Sequence, residues 1–371
     1  MISDRDVKDL LRLDPHNIVA IDVPRDADGD LRYQLAADRM NTWIDEGVLV
    51  LDATPSFTLY RMQFIDESGA SRETVGVLGA LEVVDEGAGG VLPHEHTTPK
   101  AKTDRLDLTR STKANLSPVW GLSLAGELTH LLSAPAEPVG QCVDENGVVH
   151  IVERVTEPDR VRAISSAVAA SSVVIADGHH RYAISRTYRD EQRASTGRND
   201  LASELTLAYV GELVEEQLSV AAIHRLISGV PDFALLQSFA PLFEMTPAGV
   251  VGPGHARQVV ERGAMCLVHS DGYGTFMTPR PECFEGVRNL DSARLEHALR
   301  RVPSFELSYQ HGVTNIVAAV SAGHASAGVL LRPVSVAEIR RTADEGLLMP
   351  PKSTFFTPKL RTGLVIRPLA G

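Results

Sequence analysis

Cysteine is scarce. Cys142, Cys266 and Cys283 are spread through 371 residues and no two of them form a CxxC pair, so neither a disulfide framework nor a cysteine zinc site is indicated. Aromatic residues make up only 5% of the chain, too few for a stacking platform that would hold single-stranded nucleic acid. Positive charge is also in deficit. The 36 Lys and Arg stand against 48 Asp and Glu, a net charge of -12, whereas a surface that grips phosphate backbones needs clustered cations. No run approaches the roughly 20 apolar residues that span a bilayer, and the charged N-terminus MISDRDVKDLLRLDPHN lacks the apolar centre of a signal peptide. The expectation is a soluble cytoplasmic protein whose partners are neither nucleic acid nor membrane. The chain also has no GxxxxGK[ST] loop, no GxGxxG after a strand, no kinase HRD or DFG set, no GxSxG elbow and no HExxH helix. The common nucleotide, hydrolase and metalloprotease scaffolds are therefore not indicated.

The 43% of hydrophobic residues suffices for a sizeable core, in one large domain or two ordinary ones. The first 45 residues or so, with a helix-like LAADRMNTWIDEG, read as an N-terminal α/β layer. FTLYRMQFID and TVGVLGALEVV then alternate as the strands of a hairpin. A Gly-rich, then polar, loop runs over 85–104, and a helix RLDLTRSTKANL follows. Next come strand VWGLSLAG, helix ELTHLLSAP and a hairpin QCVDENGVVHIVERV turning at Glu145-Asn146-Gly147. The run EPDRVRAISSAVAAS, VVIA, RYAISRTYRDEQR reads as α-β-α, and beyond Asn199 helices alternate with strands up to a closing apolar strand TGLVIRPL. The fold class expected is α+β or mixed α/β. Residues 1–215 form an N-terminal lobe and 216–371 a C-terminal lobe with a seam near GELVEEQ, unless the two make one compact unit.

The most informative stretch is VVIADGHHRY. Val173, Val174 and Ile175 suit a buried strand, Gly178 permits a backbone angle that a side chain forbids, and the following residues have helical spacing. The turn thus lies at a helix N-terminus, where unpaired N–H groups and the helix dipole favour an anion and where Arg181 and two imidazoles add donors. It reads as a phosphate-binding or phosphoryl-transfer turn. The plainer alternative has Asp177 capping the helix while the histidines satisfy buried polar groups.

Two further loops carry chemistry. PHEHTTPKAKTDR packs His94, Glu95, His96, Thr97, Lys100, Lys102, Asp104 and Arg105 into thirteen positions. His94 and His96 at i, i+2 could begin a metal site, but zinc needs further ligands, and acid/base and phosphate-contact roles fit better. MPPKSTFFTPK places Lys352, Ser353, Thr354 and Lys359 in a Pro-stiffened loop suited to clamp an anion. Asn115, His224, Arg225 and His311 are candidate substrate contacts, the last three because they end strand-like runs and can face a cleft. A solvated loop, a surface turn and structural histidines are the respective alternatives.

In order along the chain, HEHTTPKAKTDRL with KANLSPVWGL, ADGHHRYA, IHRLI, YQHG, and MPPKSTFFTPK with TG resemble the motif set of DUF1015, a family of uncharacterised bacterial and archaeal proteins, from roughly Tyr60 to the C-terminus. The DGHHR turn is similar to the nucleotide-binding signature of the wider ParB and sulfiredoxin superfamily, which includes partitioning switches, sulfiredoxins and free-serine kinases. The resemblance implies a ParB/sulfiredoxin-like core elaborated with a second α/β lobe. It implies that Gly178, His179, His180 and Arg181 contact phosphates, and the loop residues Lys102, Arg105, Lys352, Ser353, Thr354 and Lys359 are read beside it as further phosphate contacts. It also implies Glu95 or Asp177 as base or metal contact, so that the expected catalytic residues are Glu95, Asp177, His180 and His94. The expected activity is nucleotide-dependent phosphoryl transfer to a small hydroxyl compound, such as free serine or a related hydroxy acid, using ATP or ADP with Mg2+. Alternatives are a phosphatase of a small phosphorylated metabolite and a non-catalytic nucleotide-binding regulator. A sulfiredoxin-type enzyme is disfavoured because the turn has no cysteine. A homodimer is left open. These segments are expected to meet in one pocket.

Overall fold

The computed structural model of the protein describes residues 2–66, 69–95 and 103–369. The chain opens with helices α1 (Asp4–Leu13), α2 (Val19–Asp22) and α3 (Arg32–Asp45). Ser3 and Asp6 start α1 with a reciprocal capping box. In α3 the buried residues Ala36, Ala37, Met40 and Trp43 follow a helical period. The α/β layer expected here is corrected: among the described residues before Phe57 there is no strand, because the apolar positions repeat at helical and not alternating spacing.

The next elements are β1 (Phe57–Ile65), β2 (Ser71–Glu82), β3 (Val91–Pro93), α4 (Thr103–Thr112), β4 (Ala114–Asn115), β5 (Val119–Ser123), α5 (Leu128–Ser133), β6 (Glu137–Val143), β7 (Val149–Val155), α6 (Pro158–Ala169), β8 (Val173–Asp177), α7 (His179–Thr196) and β9 (Leu205–Glu212). Eight of these strands form one mixed sheet in the order β3-β8-β5-β9-β2-β1-β7-β6. Both faces are covered: along β9, Leu207 and Tyr209 enter one core while Ala208 and Val210 enter the other, as a sheet buried on both sides requires. The segment read as a loop over 85–104 contributes β3, which pairs in parallel with β8.

The chain then passes through β10 (Ser219–Ala221), β11 (Ile223–Ser228), α8 (Asp232–Phe239), β12 (Phe243–Val250), α9 (His255–Arg262), β13 (Met265–Val268), β14 (Tyr273–Pro279), α10 (Asp291–Leu299), β15 (Glu306–His311), α11 (Val313–Ser321), β16 (Ala327–Leu330), α12 (Val336–Asp344), β17 (Phe355–Thr357) and β18 (Arg367–Pro368). A second, wholly antiparallel sheet has the order β12-β14-β13-β16-β11-β15. The architecture is mixed α/β.

After α12 the tail returns to the first sheet. Met349 and Phe356 enter its core, β17 pairs with β10, and β18 pairs with β4. The closing segment was expected to be an apolar strand; only Arg367–Pro368 pairs as one. Gly363, at φ 89 and where an added Cβ would fall 2.7 Å from the Ile18 Cβ, interrupts the extended run.

Candidate functional site

The DGHHR turn joins β8 to α7. Val173 to Ala176 are buried, and Gly178 takes the left-handed conformation, φ 89 and ψ 22, as the N-cap of an 18-residue helix. The helix therefore starts at His179, two residues before the expected Arg181. Its first intrahelical acceptor is the Gly178 carbonyl, bonded by the Tyr182 N–H, so the N–H groups ahead of Tyr182 take no part in the intrahelical ladder. Asp177 does not cap the helix. Its Oδ1 accepts from the adjacent Gly178 N–H at 2.8 Å, and its Oδ2 accepts from Lys359 Nζ at 3.2 Å with Arg181 at 3.7 Å. Burial alone would raise the Asp177 pKa; the charges of Lys359 and Arg181 outweigh it and hold the carboxyl below its ordinary value.

One side of the turn faces the tail. His94 is fully buried, with Nδ1 2.5 Å from the Ile175 carbonyl oxygen and Nε2 2.7 Å from Thr354 Oγ1. Its ring lies 5.1 Å from that of His179. Burial pushes His94 down to about 4 and His179 to about 3, so both rings are neutral near pH 7. His179 Nε2 is buried and meets no hydrogen-bond partner among the described residues. Glu95 accepts from the Ser353 N–H at 3.1 Å. Burial raises the Glu95 pKa, against the pull of the Ser353 amide and the Lys352 charge, the condition in which a carboxylate becomes a stronger base. Lys352 supports this corner from the left-handed region, φ 57. Both ring nitrogens of His94 are engaged, so it is no free metal ligand, and His96, Lys100 and Lys102 lie outside the described residues. Among the described residues no cluster of three His, Cys, Asp or Glu could hold a metal ion.

The other side of the turn opens into a cavity of about 460 Å³ between α4 and α7. His180, Arg181 and Arg105 line it together with Leu108, Leu116, Ile184 and Leu360 and with Asn115, Thr109, Ser117 and Thr362. Arg181 is about a third exposed and donates to the Pro118 carbonyl. Arg105 is held by Asp22, through its carbonyl at 2.6 Å and its Oδ1 at 2.8 Å. Asn115 uses its Oδ1 to accept from the Leu207 N–H, so part of its side chain is committed to the fold.

The second sheet contributes from farther off. Arg225 is buried, stacks on Tyr309 at 4.7 Å and bonds the Ile223 carbonyl, with the Pro351 carbonyl at 3.5 Å; burial lowers it to about 10. His311 lies against Phe355 at 4.6 Å, and Lys359 Nζ is 4.3 Å from the same ring. His224 is set apart by its bonding. It is buried and its Nδ1 accepts from the Leu331 N–H, which ties it into the sheet. The turn, Glu95, the 352–359 loop and His311 are thus linked by contact, while His180, Arg181, Arg105 and Asn115 form the cavity behind.

Sequence reasoning missed Asp22, Leu360 and Thr362, and also the network that seats the tail. Asp144 Oδ2 lies 3.0 Å from His150 Nε2, His150 Nδ1 lies 2.7 Å from Tyr60 OH, and Tyr60 accepts from the Arg361 N–H at 3.3 Å. Arg361 also pairs with Asp144. Burial works to raise Asp144, but the bonds from His150 and Arg361 bring it well below the carboxylate range. No local pattern joins these four positions; only the return of the tail does.

No curated protein matches the chain. Among solved structures, a conserved hypothetical protein from Pyrococcus furiosus has a TM-score of 0.41 at 14% identity, covering 79% of this chain and 95% of its own. A free serine kinase mutant in complex with ADP has 0.39 at 14%, covering 76% and 87%. SbnI with a C-terminal truncation, from Staphylococcus aureus, has 0.40 at 13%, covering 78% and 87%. Among the described residues no helix is long and apolar enough to cross a membrane. A family model described as "Protein of unknown function (DUF1015)" matches residues 1–293, and the chain belongs to the DUF1015 family.

Proposed function

We propose that the protein transfers a phosphoryl group between a nucleotide, ATP or ADP, and a small hydroxyl compound such as free serine or a related hydroxy acid. One observation carries this reading: the N-terminus of α7 and the side chains of His180, Arg181 and Arg105 adjoin a cavity of about 460 Å³ with apolar walls, while a mostly buried carboxylate, Glu95, lies across the turn. The cavity takes the nucleoside, and the phosphates lie along the N-terminus of α7. The transferred group then projects past Gly178 toward His179, Lys359 and Lys352, whose donors offset its charge. Glu95 accepts the proton of the acceptor hydroxyl.

Magnesium would have to displace Lys359 and Arg181 from the carboxylate at the turn. It keeps water and phosphate oxygens and takes only one or two protein carboxylates, a part Asp177 can fill. When bound it supplies charge neutralisation between phosphates. The ordering of the acceptor and the removal of its proton belong to Glu95 and the 352–354 loop.

The test is turnover of ATP and of ADP with a panel of hydroxy acids, including serine. Wild-type protein is expected to convert at least one, and Glu95→Gln to lose about 100-fold or more in kcat while still binding nucleotide. No turnover with any acceptor, together with no nucleotide binding, overturns the reading.

A further inference from the structure

The cavity holds a carboxylate that an anion site does not call for. Helices α4 and α7 run side by side in the same direction: Arg105 and Arg181 sit close enough for their charges to interact at the start, and Arg110 bonds Glu191 farther along. The cavity between them is consequently layered. Arg105, His180 and Arg181 form its polar end, and Leu108 and Ile184, about one turn onward, form its apolar end. Asp22, the last residue of α2, enters at the polar end.

Asp22 is mostly shielded from water, and only its Oδ1 is used, by Arg105 at 2.8 Å. Its Oδ2 accepts no hydrogen bond from any described residue. A carboxylate beside phosphates costs Coulomb energy unless it meets a hydrogen-bond donor. A nucleotide carries two kinds of donor, the sugar hydroxyls and the amines of the base. The base belongs with Leu108 and Ile184, whereas the sugar lies next to the phosphates, within reach of Asp22 at the polar end.

We propose that Asp22 reads the sugar of the bound nucleotide, accepting hydrogen bonds from the ribose hydroxyls and making the site selective for ribonucleotides. This rests on the nucleotide reading above. It also gives the N-terminal helices a part in the site: they carry the carboxylate to the cavity, and the Arg105 contact aims it.

Calorimetric titration with ADP, 2′-deoxy-ADP and 3′-deoxy-ADP tests the proposal in the full-length protein. Wild type is expected to bind ADP about tenfold more tightly than at least one deoxy analogue, the scale of one hydrogen bond to a charged group. Asp22→Asn is expected to bring that ratio within about threefold, and Asp22→Glu, which keeps the carboxylate, to retain a preference. Equal binding of all three nucleotides by wild type overturns the sugar role and leaves nucleotide binding standing. An unchanged ratio in a folded Asp22→Asn, with tighter binding of every nucleotide and of pyrophosphate, overturns it too, since Asp22 is then only a counter-ion to Arg105. No binding of any nucleotide removes both this inference and the reading beneath it.

Discussion

His94 holds the Thr354 hydroxyl 2.7 Å from its Nε2 while its Nδ1 lies 2.5 Å from the Ile175 carbonyl oxygen. A carbonyl can only accept, so Nδ1 carries the proton and Nε2 accepts from Thr354. One tautomer of one buried ring thereby joins the strand before the DGHHR turn to a loop 260 residues along the chain from the ring itself.

Thr354→Val removes the donor and leaves Nε2 buried and unsatisfied. The expected loss of stability is about 1–3 kcal/mol, with Thr354→Ser recovering most of it. Chemical denaturation measures both; a change below about 0.5 kcal/mol, the range of a neutral surface substitution, shows that the bond does not form in solution.

Acid should weaken the fold before it protonates ordinary carboxylates. His94, His179 and His224 are pushed down to about 4, 3 and 4 from 6.5 by burial. Between those values and 6.5 the unfolded chain binds more protons, so stability falls as pH drops, by up to roughly 1.4 kcal/mol per pH unit for each ring. Glu95 has the opposite sign. Its raised folded pKa means that the folded state holds the extra proton, so its contribution declines as pH rises above the ordinary carboxylate value. With three rings against one carboxyl, denaturation midpoints at pH 5 should lie below those at pH 7.5. Equal midpoints contradict the buried neutral histidines.

The strand-turn-helix of DGHHR was legible because β-branched residues, a glycine and helical spacing follow one another within twenty positions. Its starting residue was not. Apolar spacing begins only at Tyr182, whereas the helix is started by the backbone of Gly178, which puts both histidines inside it. The hairpin of β1 and β2 was likewise readable from alternation. Asp22 and Arg361 had no such signal, since their contacts lie 83 residues away at Arg105 and 217 away at Asp144. His224 looked like a cleft residue at a strand end, but a long-range bond to Leu331 fixes it.

Gly178→Ala places an L-residue at φ 89 and a Cβ 3.0 Å from Arg181 Nε. The left-handed backbone costs about 1–2 kcal/mol, and the guanidinium must move from the cavity mouth. A lower melting temperature together with weaker nucleotide binding is expected; a fully neutral substitution contradicts the turn geometry.

Arg361→Leu leaves the Asp144 carboxylate with His150 as its remaining side-chain partner. The tail from Phe355 to Leu369 should loosen, read as faster amide exchange in β17 and β18 than in β9. Unchanged exchange in the tail means that the core residues Met349 and Phe356 hold it alone.

Whether the mouth of the cavity at Arg181 binds nucleotide phosphates is most directly measured by calorimetric titration of ADP into wild-type protein and Arg181→Met, both shown to be folded. Saturable one-to-one binding to wild type and at least tenfold weaker binding to the variant, the loss of one charge-assisted contact, is the expected result. Absence of binding to wild type, or equal affinity in the two proteins, contradicts it.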